Sequence, residues 1–199
     1  MALGLLYLGL TLLGALQTQA QDVPPTLIQA PPLSKIPLQP GFQDDQFQGN
    51  WFTISMAVNS AQKGNETNWT YFMSRATFQL NDDHGYNVIT TGLSGQKCAQ
   101  WNSTLVPYDQ HGQFTLVNMT NSETERYTWR VAATDYNQFA MMYIEYKLEN
   151  STYFQAKLNG RTKELSSEVQ ECFFKFSKSL GLSEDHIIFF EPIEECIDG

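Results

Sequence analysis

From Trp51 to Asn159 the chain breaks into eight short runs rich in β-branched and aromatic residues. They read "WFTISMAV" (51–58), "YFMSRATFQL" (71–80), "YNVITTGL" (86–93), "CAQWNSTLV" (98–106), "GQFTLVNM" (112–119), "RYTWRVAAT" (126–134), "QFAMMYIEYK" (138–147) and "STYFQAKL" (151–158). Turn formers separate several of them: Asn81-Asp82-Asp83, Gly95, His111-Gly112, Asn137 and Glu149-Asn150. Runs so short and so closely spaced pair with their sequence neighbours, antiparallel. Closing eight of them on themselves removes both exposed sheet edges and leaves room inside for one small ligand. The expected fold class is all-β, an eight-stranded antiparallel up-and-down barrel. In the first run, alternation puts Phe52, Ile54, Met56 and Val58 on one face and Thr53 and Ser55 on the other.

One helix is expected after the strands. In "KELSSEVQECFFKFSKSL", Leu165, Val169, Cys172, Phe173, Phe176 and Leu180 recur at helical spacing. Caps are offered between Thr162 and Ser167, and Gly181 is a natural stop. Its apolar stripe and charged back place it on the outside of the barrel; Cys172 lies on that stripe, where it reads as a buried free thiol or, alternatively, as one half of an intermolecular bridge. "IIFF" (187–190) reads as a short closing strand. There is no internal repeat and no second domain.

Ahead of the strands, "LLYLGLTLLGAL" (5–16) followed by "QTQA" reads as a secretory signal peptide cleaved before Gln21. The run is short for a bilayer span and lacks flanking charge. Residues 1–20 are thus assigned to the signal peptide, 21–45 to a proline-rich arm and 46–199 to the folded domain. Prolines 24, 25, 31, 32, 37 and 40 exclude helix and central strand from the arm. A secreted, extracellular chain carries disulfides and sugars. Three cysteines, Cys98, Cys172 and Cys196, allow three single pairings. Five acceptor triplets begin at Asn65, Asn68, Asn102, Asn118 and Asn150. The net charge of −9 disfavours nucleic acid and anionic membrane as partners.

Catalysis is poorly supported. His84, His111 and His186 are far apart, and there is no H-E-x-x-H, G-x-S-x-G or glycine-rich nucleotide loop. No catalytic residue, metal or cofactor is expected, and the chain is not read as an enzyme.

Three motifs carry a family resemblance. Gly49-Asn50-Trp51 opens the first strand, Thr134-Asp135-Tyr136 lies between the sixth and seventh, and Arg161 stands just before the helix. This set resembles the three motifs of the lipocalins, a family of calyx-shaped barrels. "PPLSKIPLQ", "FQDDQFQGNW", "DYNQFAM", "GRTKELSSE", "FSKSLGL" and "CIDG" extend the resemblance to its siderophore-binding branch. That branch holds ferric catecholates in the calyx and withholds iron from bacteria, an innate-immunity role. The resemblance implies a Cys98–Cys196 bridge tying barrel to tail. It also implies that Trp51 forms the barrel floor with Arg161 stacked on it.

The branch uses three basic calyx side chains. Aligned on the flanking motifs, their positions here are Ser103, Tyr146 and Gln155, none of them basic. A calyx tyrosine is retained as Tyr127, and Trp101 also matches. The inward set expected from alternation is Trp101, Ser103, Tyr127, Trp129, Ile144, Tyr146, Tyr153 and Gln155. Lys157, two residues beyond Gln155, falls on the same face and is the one inward cation expected. Its competing placement is a side chain reaching out to the barrel rim. Such a lining suits a flat apolar or aromatic ligand with at most one anionic group. The chain therefore reads as a secreted, monomeric carrier of a small apolar or aromatic molecule. Two alternatives stand beside that reading: retained siderophore binding, and a secreted module read by a cell-surface receptor with a vestigial pocket.

Overall fold

The computed structural model describes residues 27–60, 72–117, 124–148, 150–192 and 194–198. The signal peptide, the start of the arm and the triplets at Asn65, Asn68 and Asn118 lie outside the described residues.

Eight strands run in sequence: β1 (Gly49–Val58), β2 (Arg75–Leu80), β3 (Tyr86–Ser94), β4 (Lys97–Tyr108), β5 (Gln110–Val117), β6 (Thr124–Thr134), β7 (Phe139–Leu148) and β8 (Ser151–Gly160). Each pairs antiparallel with the next, and β1 pairs with both β2 and β8, which closes the barrel. Four-residue α1 (Asp44–Phe47) leads into β1. Helix α2 (Ser167–Ser179), short strand β9 (Ile187–Phe189) and α3 (Glu194–Ile197) follow β8. β9 pairs with β1 outside the barrel, through Ser55, Met56 and Ala57.

The first strand departs from simple alternation. A bulge between Thr53 and Ser55 puts an extra residue, Ile54, on β1. The phase flips there: Phe52, Ile54 and Ala57 join the apolar cluster outside the barrel. Met56 and Val58 instead stand opposite Lys157 and Gln155. The single face expected from Phe52 to Val58 is therefore split in two.

Two apolar clusters result. The inner one fills the closed end with rings: Phe42, Phe47, Trp51, Phe78, Tyr86, Phe114 and Trp129 are all buried. Phe78 and Trp129 stack with centroids 5.2 Å apart. Burying each such ring contributes roughly 1.5–3 kcal/mol. The outer cluster packs Phe173 and Leu180 of the helical segment against Met141, Tyr143, Phe154, Ala156 and Leu158. Ser166 caps α2, its Oγ accepting from the Val169 N–H. Cys172 is exposed, not buried. The helix turns about 100° per residue, so the stripe through Phe173, Ser177 and Leu180 carries its neighbour Cys172 round to solvent.

The arm is fixed to this frame by Arg130, whose guanidinium donates to the carbonyls of Leu33 and Ile36. Cys98 on β4 and Cys196 in α3 form a disulfide with Cα atoms 5.4 Å apart. It closes a loop of 98 residues. Cys196→Ser is expected to cost about 2–5 kcal/mol in denaturant unfolding. In the native protein a thiol reagent should label Cys172; a peptide map joining Cys172 to either partner would overturn this pairing.

Candidate functional site

The closed end is built by the three motifs. Gly49 has φ +96, and a Cβ there would come within 3.2 Å of Arg161 Nη1, so the position needs glycine. Trp51 follows, fully buried, its Nε1 donating to the Phe47 carbonyl at 2.8 Å. Arg161 lies flat on that indole, Cζ 3.7 Å from the ring centroid. The same guanidinium donates to the carbonyls of Tyr136, Asn50 and Gln46, each at 2.9 Å. Asp135 Oδ1 accepts three backbone N–H bonds, from Asn137, Gln138 and Phe139. That turn holds Tyr136 at φ 65, where its hydroxyl accepts from the Gln43 N–H. One network thus joins α1, β1, the β6–β7 turn and the end of β8.

Above this floor is a cavity of about 160 Å³. Its walls differ. The β5–β7 side contributes Leu116, Tyr127, Trp129, Met142 and Ile144. The β8–β1 side and the segment entering β2 contribute Lys157, Asn159, Thr53 and Ser74. Apolar residues of β2 to β4, Phe78, Val88 and Leu105 among them, close the circle with Thr90 and Ser103.

Of the residues expected from the sequence, Ser103, Tyr127, Trp129, Ile144 and Lys157 border the cavity. Lys157 is in the wall, level with Met56 and Met142, and not at the rim. Burial pushes its ammonium pKa below the ordinary lysine value. Tyr146 and Tyr153 do not border the cavity but stack in a ladder with Tyr127 across β6, β7 and β8. Their centroids are 6.4 and 5.4 Å apart. Burial raises the phenol pKa of Tyr127 and Tyr146, so both are neutral hydroxyls at physiological pH. Gln155 lies opposite Ile144, one layer nearer the open end than Lys157. Trp101 is 47% exposed and is not among the cavity residues. Its ring lies near Gly92 of the neighbouring strand, where a Cβ would come within 3.6 Å of it. Trp101 pairs with Thr90 of β3, and from Gln100 to Ser103 both faces of β4 are exposed. Asn102, on the opposite face from Trp101, is exposed, as is Asn150 in the β7–β8 turn.

The sequence reading missed the polar Thr53, Ser74, Thr90 and Asn159 and the apolar lining of Ala76, Phe78, Val88, Leu105, Leu116 and Met142. Alternation from Lys157 reaches Asn159, so that signal was present. Ser74 lies in an irregular segment before β2, where no periodicity exists to read.

The family model for the lipocalin / cytosolic fatty-acid binding proteins matches residues 48–194, the whole barrel and the helix. The chain belongs to this family. As a lipocalin it is 48% identical to neutrophil gelatinase-associated lipocalin of Homo sapiens over the full length of both chains. Identity to the protein of that name in Mus musculus is 47%, again over both full lengths. It is also 32% identical to a prostaglandin-H2 D-isomerase of Felis catus, over 99% of this chain and 97% of that one. Gly49, Trp51, Thr134, Asp135, Tyr136 and Arg161, the residues that carried the motif resemblance, meet in the floor network. No helix among the described residues is long and apolar enough to cross a membrane.

Proposed function

We propose that this lipocalin is a secreted carrier of a small, mainly apolar or aromatic molecule, held in the calyx. The observation that carries the reading is the cavity itself, bordered by Phe78, Trp129, Leu105, Leu116, Met142 and Ile144 above a floor already filled by rings. Ring faces and branched chains favour burial of apolar ligand surface, about 25 cal/mol per Å² before ordering costs. Among the described residues, the titratable groups bordering the cavity are Tyr127 and Lys157, and neither is paired there with an acid or a second base. That arrangement supports binding over catalysis.

Siderophore binding is the second reading, favoured by the identity to neutrophil gelatinase-associated lipocalins and by one wall cation, Lys157. Secretion is proposed from residues 1–20, with 21–45 as the arm and 46–199 as the domain.

The test is native mass spectrometry of the protein secreted by cells that make it, before and after solvent extraction. A small bound mass that extraction removes is expected, on a chain beginning at Gln21 and carrying sugar at Asn102 or Asn150. Repeated absence of any bound mass overturns the carrier reading and favours a module recognised by a cell-surface receptor.

A further inference from the structure

Four polar side chains on adjacent segments meet at one side of the cavity. Thr53 on β1 stands opposite Asn159 on β8, and the Thr53 N–H donates to the Ser74 carbonyl at 2.9 Å. Ser74 Oγ donates to Thr53 Oγ1 at 3.2 Å, which leaves the Thr53 hydroxyl hydrogen available. Lys157 is two residues before Asn159 on the same face of β8. All four border the cavity.

Three features of this group have no use within the chain. Among the described residues, Lys157 has no ion-pair partner, and no carboxylate borders the cavity. Asn159 is 2% exposed, and its Oδ1 has no hydrogen-bond donor. Thr53 is 5% exposed, with its hydroxyl only half used. Buried polar groups are costly when unsatisfied, and the half-buried Lys157 ammonium faces the cavity with no anion beside it. The opposite wall is mainly apolar, from Leu116 through Trp129 to Ile144, its polar atoms being the Tyr127 hydroxyl and the unpartnered Trp129 Nε1, and it carries no charge.

We infer that Lys157, Thr53, Asn159 and Ser74 form a subsite for a single carboxylate, so that the calyx takes an apolar or aromatic monocarboxylic acid with its head against the β8–β1 wall. One carboxylate oxygen pairs with Lys157 Nζ, and the other accepts from the Thr53 hydroxyl. The Asn159 amide, turned over about its terminal bond, supplies a further N–H in place of the orphaned Oδ1. A charge-assisted pair away from water is stronger than a neutral one, and Lys157 has no internal anion to give up first. A trianion cannot be matched by one cation. The inference rests on the carrier reading and adds the ligand's head group and its orientation.

The cost of the site shows without ligand. An unfolded lysine keeps its proton to pH about 10.4, whereas folded Lys157 releases it at lower pH because burial disfavours the charge. Stability is therefore penalised below the folded pKa and recovers as pH rises through it. Lys157→Met should raise the melting temperature of the empty protein at neutral pH.

The experiment titrates 4-phenylbutyric acid and 4-phenylbutyramide, matched in shape, by calorimetry against wild type, Lys157→Gln, Lys157→Arg and Thr53→Val. The acid should bind wild type at least about tenfold tighter than the amide. Lys157→Gln should abolish that advantage, bringing the acid to within about twofold of the amide. Thr53→Val should reduce it in part. Lys157→Arg, whose charge persists at all accessible pH, should hold it to higher pH than wild type. Equal binding of acid and amide to wild type, or an advantage undiminished in Lys157→Gln, overturns the subsite and leaves the carrier reading standing. If neither compound binds at millimolar concentration, the carrier reading falls with it.

Discussion

Trp51→Ala should destabilise the protein by about 3–5 kcal/mol, the largest effect expected of any single substitution in the fold. The indole is fully buried and packs on Phe47 with centroids 5.3 Å apart. Its loss removes the transfer free energy of the ring, leaves a cavity beneath the inner cluster, and orphans the Phe47 carbonyl on the Nε1 side. It also strips the face on which Arg161 lies. For a chain of this size each kcal/mol moves the melting temperature by roughly 2–4 °C, so a fall of about 10 °C or more is expected. Arg161→Met keeps the stem and removes the charge. It forfeits the hydrogen bonds to Tyr136, Asn50 and Gln46, so α1 and the β6–β7 turn lose their common anchor. The two substitutions touch one network, so their effects should not add; the double variant should fall short of the sum by more than about 0.5 kcal/mol. Denaturant unfolding of the four proteins measures this cycle. Full additivity would show that Arg161 works on the carbonyls alone and that the stacked geometry contributes nothing.

That network is also where sequence and structure agree most closely, for a physical reason. Gly49, Trp51, Asp135 and Arg161 act through backbone conformation, backbone N–H groups and backbone carbonyls, so each demands one residue type at one place, and a motif records it. Strand existence was similarly legible, because alternation and turn chemistry act over neighbouring residues. "QFAMMYIEYK" became β7 (Phe139–Leu148), within a residue at either end. Properties set by tertiary geometry were less so. Alternation cannot anticipate the bulge at Ile54, because the extra residue is defined only by its partner strand. Helical spacing admitted Cys172 to the apolar stripe, and only the packing of Phe173 and Leu180 shows which edge of the stripe meets solvent. Trp101 has the inward phase of a calyx residue, yet its ring is half exposed and outside the cavity lining, which phase alone does not decide. For the site itself, phase gave Lys157 and could have given Asn159. The subsite's third segment, at Ser74, exists only because the barrel brings an irregular stretch against β1.

The second large effect concerns the ligand that the lipocalin resemblance would suggest. Ferric tris-catecholate complexes should bind this calyx at least about a hundredfold more weakly than they bind a calyx carrying three cations. The aligned positions hold Ser103, Tyr146 and Gln155, so no formal charge stands at any of them. A ferric tri-catecholate carries about three negative charges, and each screened attraction lost is worth about 1 kcal/mol or more. Lys157 returns one of them, but from a layer deeper in the wall than Gln155, beside Asn159 and not at the wider end. Tyr146 cannot substitute by ionising, since burial raises its pKa above the ordinary phenol value. The converse substitution is the sharper measurement. Ser103→Arg, Tyr146→Lys and Gln155→Lys, combined in one protein, should gain at least about two decades in affinity for a ferric catecholate. The gain should shrink at high salt, because the added attractions at the wider end remain partly screened. Quenching of tryptophan fluorescence reports it, with Trp129 in the wall as the nearest indole. Nanomolar binding by the unaltered protein would show that Tyr127, Trp129 and Lys157 suffice, and would move the protein's ligand from a monocarboxylate to a metal complex.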